Sequence, residues 1–188
     1  MIILALGVAL WSAVHFLPSV APGVRERLID MVGPGPYRGL FSLDIAIALV
    51  LIVWGYRTAD WVYLYDPPAW GVHANNTLML VAIYLFGVGG AKGWLATKLR
   101  HPMLLGVIVW SVAHLLANGD EASLILFGGM TLWALGMIFM INRRVGAWAP
   151  PKPKGMASEI RLIVITLVIY AAIAFTHWML LGVKPFPG

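Results

Sequence analysis

Cysteine is absent from this chain of 188 residues. Disulfides, thiolate nucleophiles, iron–sulfur clusters and Cys-type zinc sites are thereby excluded from within it, and cysteine usage says nothing of the redox compartment. Charge is scarce as well. Asp, Glu, Lys and Arg make up 11% of the residues, against about 25% in soluble domains, while hydrophobic residues make up 61%. Water is not the main solvent for such a composition. The formal net charge of +5 does not point to nucleic acid, because the basic residues are scattered between apolar runs instead of clustered on a polar face. Anionic lipid headgroups are the expected counter-charge.

Six apolar runs are present, at residues 2–17, 40–56, 75–91, 102–117, 122–141 and 160–181. At 1.5 Å per helical residue most of them can cross a hydrocarbon core about 30 Å thick with modest tilt. The pattern predicts an all-α, polytopic transmembrane helix bundle of about six spans, forming one domain over residues 1–188. The first run is as short as any of the six. No basic stretch precedes it, so it reads as a span and not as a signal peptide. Orientation follows from Lys and Arg, which cytoplasmic loops retain in excess. The first, third and fifth connections with their helix ends hold Arg25, Arg27, Arg38, Lys92, Lys98, Arg100, Arg143, Arg144, Lys152, Lys154 and Arg161, leaving only Arg57 and Lys184 on the other side. Both termini are therefore expected on the periplasmic side of a bacterial inner membrane. Residues 149–155, rich in Pro and Lys, read as an extended cytoplasmic loop. Trp61, Tyr63, Tyr65 and Trp70 suit an outer interfacial belt. No internal repeat is expected.

Ionisable groups inside a membrane are costly, which makes the five histidines the candidates for chemistry. His15 closes the first run and His101 opens the fourth, so both belong near the cytoplasmic side. His73, His114 and His177 belong near the outer side; from His101 to His114 is about 20 Å along one helix. Two imidazoles at one depth suit the two axial positions of a haem iron. Trp11, one turn before His15, can pack on a porphyrin edge, and Arg100 can meet propionates. The alternative is an interfacial His15 bonded to a backbone carbonyl, with Arg100 and Lys98 anchoring headgroups. At the outer end, Trp110, His114 and Asn118 share a helical face that runs into Gly119, Asp120 and Glu121. That set is either a second polar site, built from His114, Asn118, Asp120, His73 and His177, or a helix stop at Asn118 followed by an Asp120 N-cap. A quinone headgroup, a proton path or a second cofactor would fit the first reading. Thr166, Tyr170 and His177 form a sparse stripe of the kind that joins helices by hydrogen bonds. Gly87, Gly89, Gly90 and Gly106 predict close packing of the third and fourth runs, with Gly128 and Gly129 doing the same in the fifth. The methionines read as gap-fillers. With few carboxylates in the spans apart from Asp44, ion-coupled transport has little to work with.

Arg-His-Pro-Met-Leu-Leu-Gly at 100–106, Trp110, His114-Leu-Leu-Ala-Asn-Gly-Asp120 and the Trp11 to His15 segment together resemble the NnrU family, over most of the chain. That family comprises bacterial inner-membrane proteins linked to nitric oxide and nitrite metabolism in denitrifying bacteria. It is similar to zeta-carotene isomerase of plants and cyanobacteria, a haem b membrane protein with histidine ligation. The resemblance implies haem b on His15 and His101. The isomerase has a cysteine near its second histidine, and its absence here speaks against isomerisation of a polyene by that route; electron transfer or sensing of a gas such as NO is the more natural expectation. The Arg-His-Pro-x-x-x-Gly pattern is also similar to that of membrane methyltransferases using S-adenosylmethionine, although Glu159 is the only acid beyond Trp148. A third expectation is a non-catalytic assembly factor for a respiratory complex, acting through a membrane protein partner or as a homo-oligomer.

Overall fold

A computed structural model describes residues 1–181 and 184–186. Seven helices account for most of them: α1 (Ile2–Val20), α2 (Pro22–Val32), α3 (Pro34–Arg57), α4 (Gly71–Ala91), α5 (Pro102–Leu115), α6 (Glu121–Val145) and α7 (Met156–Leu181). Among the described residues the only β pairing is an isolated bridge between Tyr63 and Asp120. Proline punctuates the helices where its missing N–H does no harm, at the starts of α2, α3 and α5. Helices α1, α3, α4, α6 and α7 are long and apolar enough to cross a membrane. The fourth apolar run, and not the first, is the short one: α5 has 14 residues, roughly 21 Å of helix. The chain is a polytopic helical membrane protein.

Two compact units make up the chain, and each draws on two stretches of sequence. In the first, residues 1–65 and 120–146, α1 packs antiparallel to α3. Gly7 stands against Ile52 and Gly55 against the backbone of Leu4. Leu4 and Ala48 are fully buried there. Helix α6 runs parallel to α1, with Gly129 against Val8 and Gly136 against Phe16. A wide π turn at Leu124–Gly128 brings Phe127 onto Tyr56, ring centroids 6.3 Å apart. The chain after α3 is tied to the start of α6 by the Glu121 N–H, which donates to the Val62 carbonyl at 2.9 Å.

The second unit, residues 66–119 and 147–188, is organised on α4. Helix α5 lies antiparallel to it, Gly106 meeting Phe86 and Ala82 as the glycine spacing predicts, whereas Gly87 serves α7 by admitting Leu162. Tyr170 of α7 donates to the Asn76 carbonyl at 3.1 Å, an interhelical bond of the kind expected of that stripe. Leu85, Val88, Ala96 and Leu162 form the buried cluster. The outer face of α7 carries Ile160, Val164, Leu167 and Val168, all exposed. Such a face suits contact with hydrocarbon.

Candidate functional site

His15 is half-buried and flanked by three aromatic rings. Its imidazole centroid lies 4.6 Å from Trp11, 5.1 Å from Trp133 of α6 and 5.6 Å from Phe41 of α3. Nδ1 sits 2.8 Å from the Trp11 carbonyl oxygen. A carbonyl can only accept, so Nδ1 carries the proton and Nε2 keeps its lone pair. The indole nitrogens of Trp11 and Trp133 are buried without a hydrogen-bond partner among the described residues, at a cost of about 1–3 kcal/mol each unless an acceptor is supplied. An open apolar groove of about 320 Å³ runs between α1 and α6, lined by Ala9, Ser12, Phe16, Leu132 and Trp133 among others. The antiparallel register of α1 and α3, Leu4 to Gly55 and Gly7 to Ile52, places Asp44 at the level of His15. Asp44 of α3 thus shares the depth of the first imidazole.

In the second unit His114 repeats that local arrangement. Its Nδ1 lies 2.8 Å from the Trp110 carbonyl oxygen, its ring 5.4 Å from the indole, and Asn118 Nδ2 donates to the His114 carbonyl at 2.9 Å. His177 of α7 is within electrostatic reach. His73 stands in the first turn of α4, where its carbonyl accepts from Thr77 Oγ1 at 3.1 Å. His101 occupies the N-cap of α5, its carbonyl accepting from Leu105 N at 3.0 Å, with Arg100 before it. His15 and His101 therefore belong to different units. So do His114 and Asp120.

Asp120 is the N-cap the sequence offered as one of two readings. Its carboxylate accepts from Ser123 N at 2.9 Å and Ser123 Oγ at 2.6 Å, and Tyr56 Oη lies 3.0 Å from that same Oγ. Partial burial and the Asp120 charge raise the Tyr65 phenol above its ordinary value.

Two features escaped the reading by composition and spacing. The first is a repeat: Leu6, Gly7, Val8, Trp11, Ser12, His15 and Leu17 recur 99 positions later as Leu105, Gly106, Val107, Trp110, Ser111, His114 and Leu116. The expectation of no repeat is corrected; comparing the two Trp-Ser-x-x-His segments directly would have found it. In both copies the glycine lets a neighbouring helix approach, α3 in one and α4 in the other. The second is Glu159, near the start of α7. It accepts from Tyr84 Oη at 2.7 Å and from Leu95 N at 3.4 Å and lies against Gly93, while Ser158 Oγ donates to the Ala91 carbonyl at 2.5 Å and Lys154 N to the Lys92 carbonyl at 2.9 Å. These bonds hold the turn that leads into Arg100 and His101. A lone acid among basic residues was its only sequence signal.

Among the described residues no group of three or more His, Asp or Glu side chains is disposed to hold a metal ion. A haem iron asks less of the protein, one or two axial ligands beyond its porphyrin nitrogens. His15 fits that demand: a neutral imidazole, fixed through Nδ1, flanked by flat aromatic surfaces and by indole donors without acceptors. No curated protein and no solved structure matches the chain. The family model described as NnrU protein matches residues 3–185, and the chain belongs to that family.

Proposed function

We propose that this chain is a haem b-binding membrane protein of NnrU type, acting in redox or nitrogen-oxide metabolism in a bacterial inner membrane. The observation that carries the reading is the His15 imidazole, fixed through Nδ1 by the carbonyl of Trp11 one turn earlier and set beside two indole donors without acceptors among the described residues. Nε2 of His15 is then the ligating atom. His15 would be one residue holding the iron, and His101 is the second that the resemblance implies. Trp11 and Trp133 supply flat surfaces and N–H donors, their bulk excludes water, and Arg100 is the propionate partner. A haem held there would supply one-electron transfer and, where one imidazole is displaceable, binding of a small gas such as NO. A quinone or a hydrophobic polyene reaching the site from the lipid is the substrate class this reading allows.

The test is the visible spectrum of detergent-purified protein, oxidised and reduced, for wild type and for His15→Ala, His101→Ala and His114→Ala. A Soret band lost in His15→Ala and His101→Ala and kept in His114→Ala establishes the pair. A change of the reduced spectrum with carbon monoxide or NO supports gas binding. Colourless protein after expression with added haem overturns the reading; saturable binding of S-adenosylmethionine would then indicate methyl transfer, and co-purification with a respiratory complex an assembly role.

A further inference from the structure

Helix α2 has eleven residues, and none of them is buried. An isolated helix of that length is marginal in water, so something beyond its few neighbours must stabilise it. At roughly 100° per residue, Val24, Leu28 and Met31 fall within one narrow arc, and Val32 adjoins it. All four are exposed, Met31 by 79%. Arg25 and Arg27 stand at the two borders of this apolar arc, while Glu26 and Asp30 occupy the opposite side. Basic residues at the borders and acids at the polar centre suit a helix lying in a membrane interface, because arginine stems run along the acyl boundary while the guanidinium groups reach the headgroups.

The surroundings of α2 carry the same sign of charge. The guanidinium of Arg25 lies 5.6 Å over the ring of Tyr37 in α3, close to Arg38. Arg144, in the last turn of α6, donates from Nη1 to the Pro18 carbonyl at 3.0 Å, just before α2 begins, and Arg143 adjoins it. This end of the first unit therefore brings together Arg25, Arg27, Arg38, Arg143 and Arg144 against two acids, Glu26 and Asp30.

We propose that α2 lies in the plane of the membrane interface and, with Arg38, Arg143 and Arg144, forms a docking surface for anionic phospholipid headgroups. Val24, Leu28 and Met31 enter the acyl layer. Arg25 and Arg27 bind phosphate oxygens on either side of the helix.

The absence of cysteine makes the test direct, since one introduced cysteine is the only thiol. Spin labels on Leu28→Cys, Met31→Cys and Asp30→Cys are compared in nanodiscs of phosphatidylcholine alone and of phosphatidylcholine mixed equally with phosphatidylglycerol. Labels at 28 and 31 should respond to dissolved oxygen and be shielded from a water-soluble nickel chelate, and the label at 30 should do the reverse. Phosphatidylglycerol retained after detergent extraction should fall about fivefold for each of Arg25→Gln and Arg27→Gln, with Arg25→Lys and Arg27→Lys close to wild type. The proposal is overturned by water exposure at all three positions. It is overturned equally by shielding of 28 and 31 from both reagents, the sign of a protein partner or a second copy. Lipid retention indifferent to the arginines, or displaced by inorganic phosphate alone, removes the headgroup assignment.

Discussion

Replacing Gly55 by alanine tests whether α1 and α3 meet as closely as their glycines allow. A Cβ at Gly55 would stand 2.7 Å from the Leu4 Cα and 2.9 Å from the Ile3 carbonyl carbon, where carbon atoms ordinarily approach to about 3.5–4.0 Å. Both obstacles are backbone, so no rotamer change relieves them, and the helices must part by about 1 Å. Overpacking of this kind costs about 1–3 kcal/mol, offset by about 1 kcal/mol of helix propensity gained over glycine. Gly39→Ala is the control. It lies in the same helix, and a Cβ there meets nothing within 4 Å, so only the propensity gain remains. Gly55→Ala should thus fall below Gly39→Ala by about 1–3 kcal/mol. Reversible unfolding in mixed micelles, followed by circular dichroism, measures the difference. Equal stabilities for the two variants would refute the close approach and with it the register that sets Asp44 level with His15.

Asp120→Ala removes the α6 cap and leaves the fully buried Ser123 hydroxyl without its acceptor; a loss of about 2–3 kcal/mol is expected in the same unfolding assay, and a loss under about 0.5 kcal/mol, the range of an ordinary surface substitution, would refute the cap. Glu159→Ala frees the turn before α5, so trypsin should cut at Lys98 and Arg100 several-fold faster than in wild type, with Glu159→Gln between the two; unchanged cleavage in Glu159→Ala would show that the carboxylate does not hold that segment.

Much of the architecture was legible because lipid imposes a simple pattern: long apolar runs bounded by Pro, Gly and charge become helices. The Asp120 cap could be read from local sequence, since an N-cap depends only on the residues beside it. Helix α2 was hidden because its charges made it look like a connection, and its apolar positions are visible only at helical spacing. The partition into units was not legible, for it depends on which helices touch. Gly87 illustrates the limit. Its small size forecast a close neighbour correctly but not that the neighbour would be Leu162 of α7 and not α5. Glu159 was undervalued for a related reason: its partners Tyr84 and Leu95 come from sequence far from it.

The repeated Trp-Ser-x-x-His segment bears on how differences between the two copies should be read. Both fix an imidazole by the same bond at the same length, so ring orientation is common to the two. Their surroundings differ. His15 faces Phe41 and Trp133, whereas His114 has His177 within reach and Asn118 on its own carbonyl. The serines diverge as well: Ser12 Oγ donates to the Val8 carbonyl at 2.7 Å, but Ser111, fully buried, has no hydroxyl partner among the described residues. Unequal effects of His15→Ala and His114→Ala would therefore report what surrounds each ring, since the local geometry that presents it is shared.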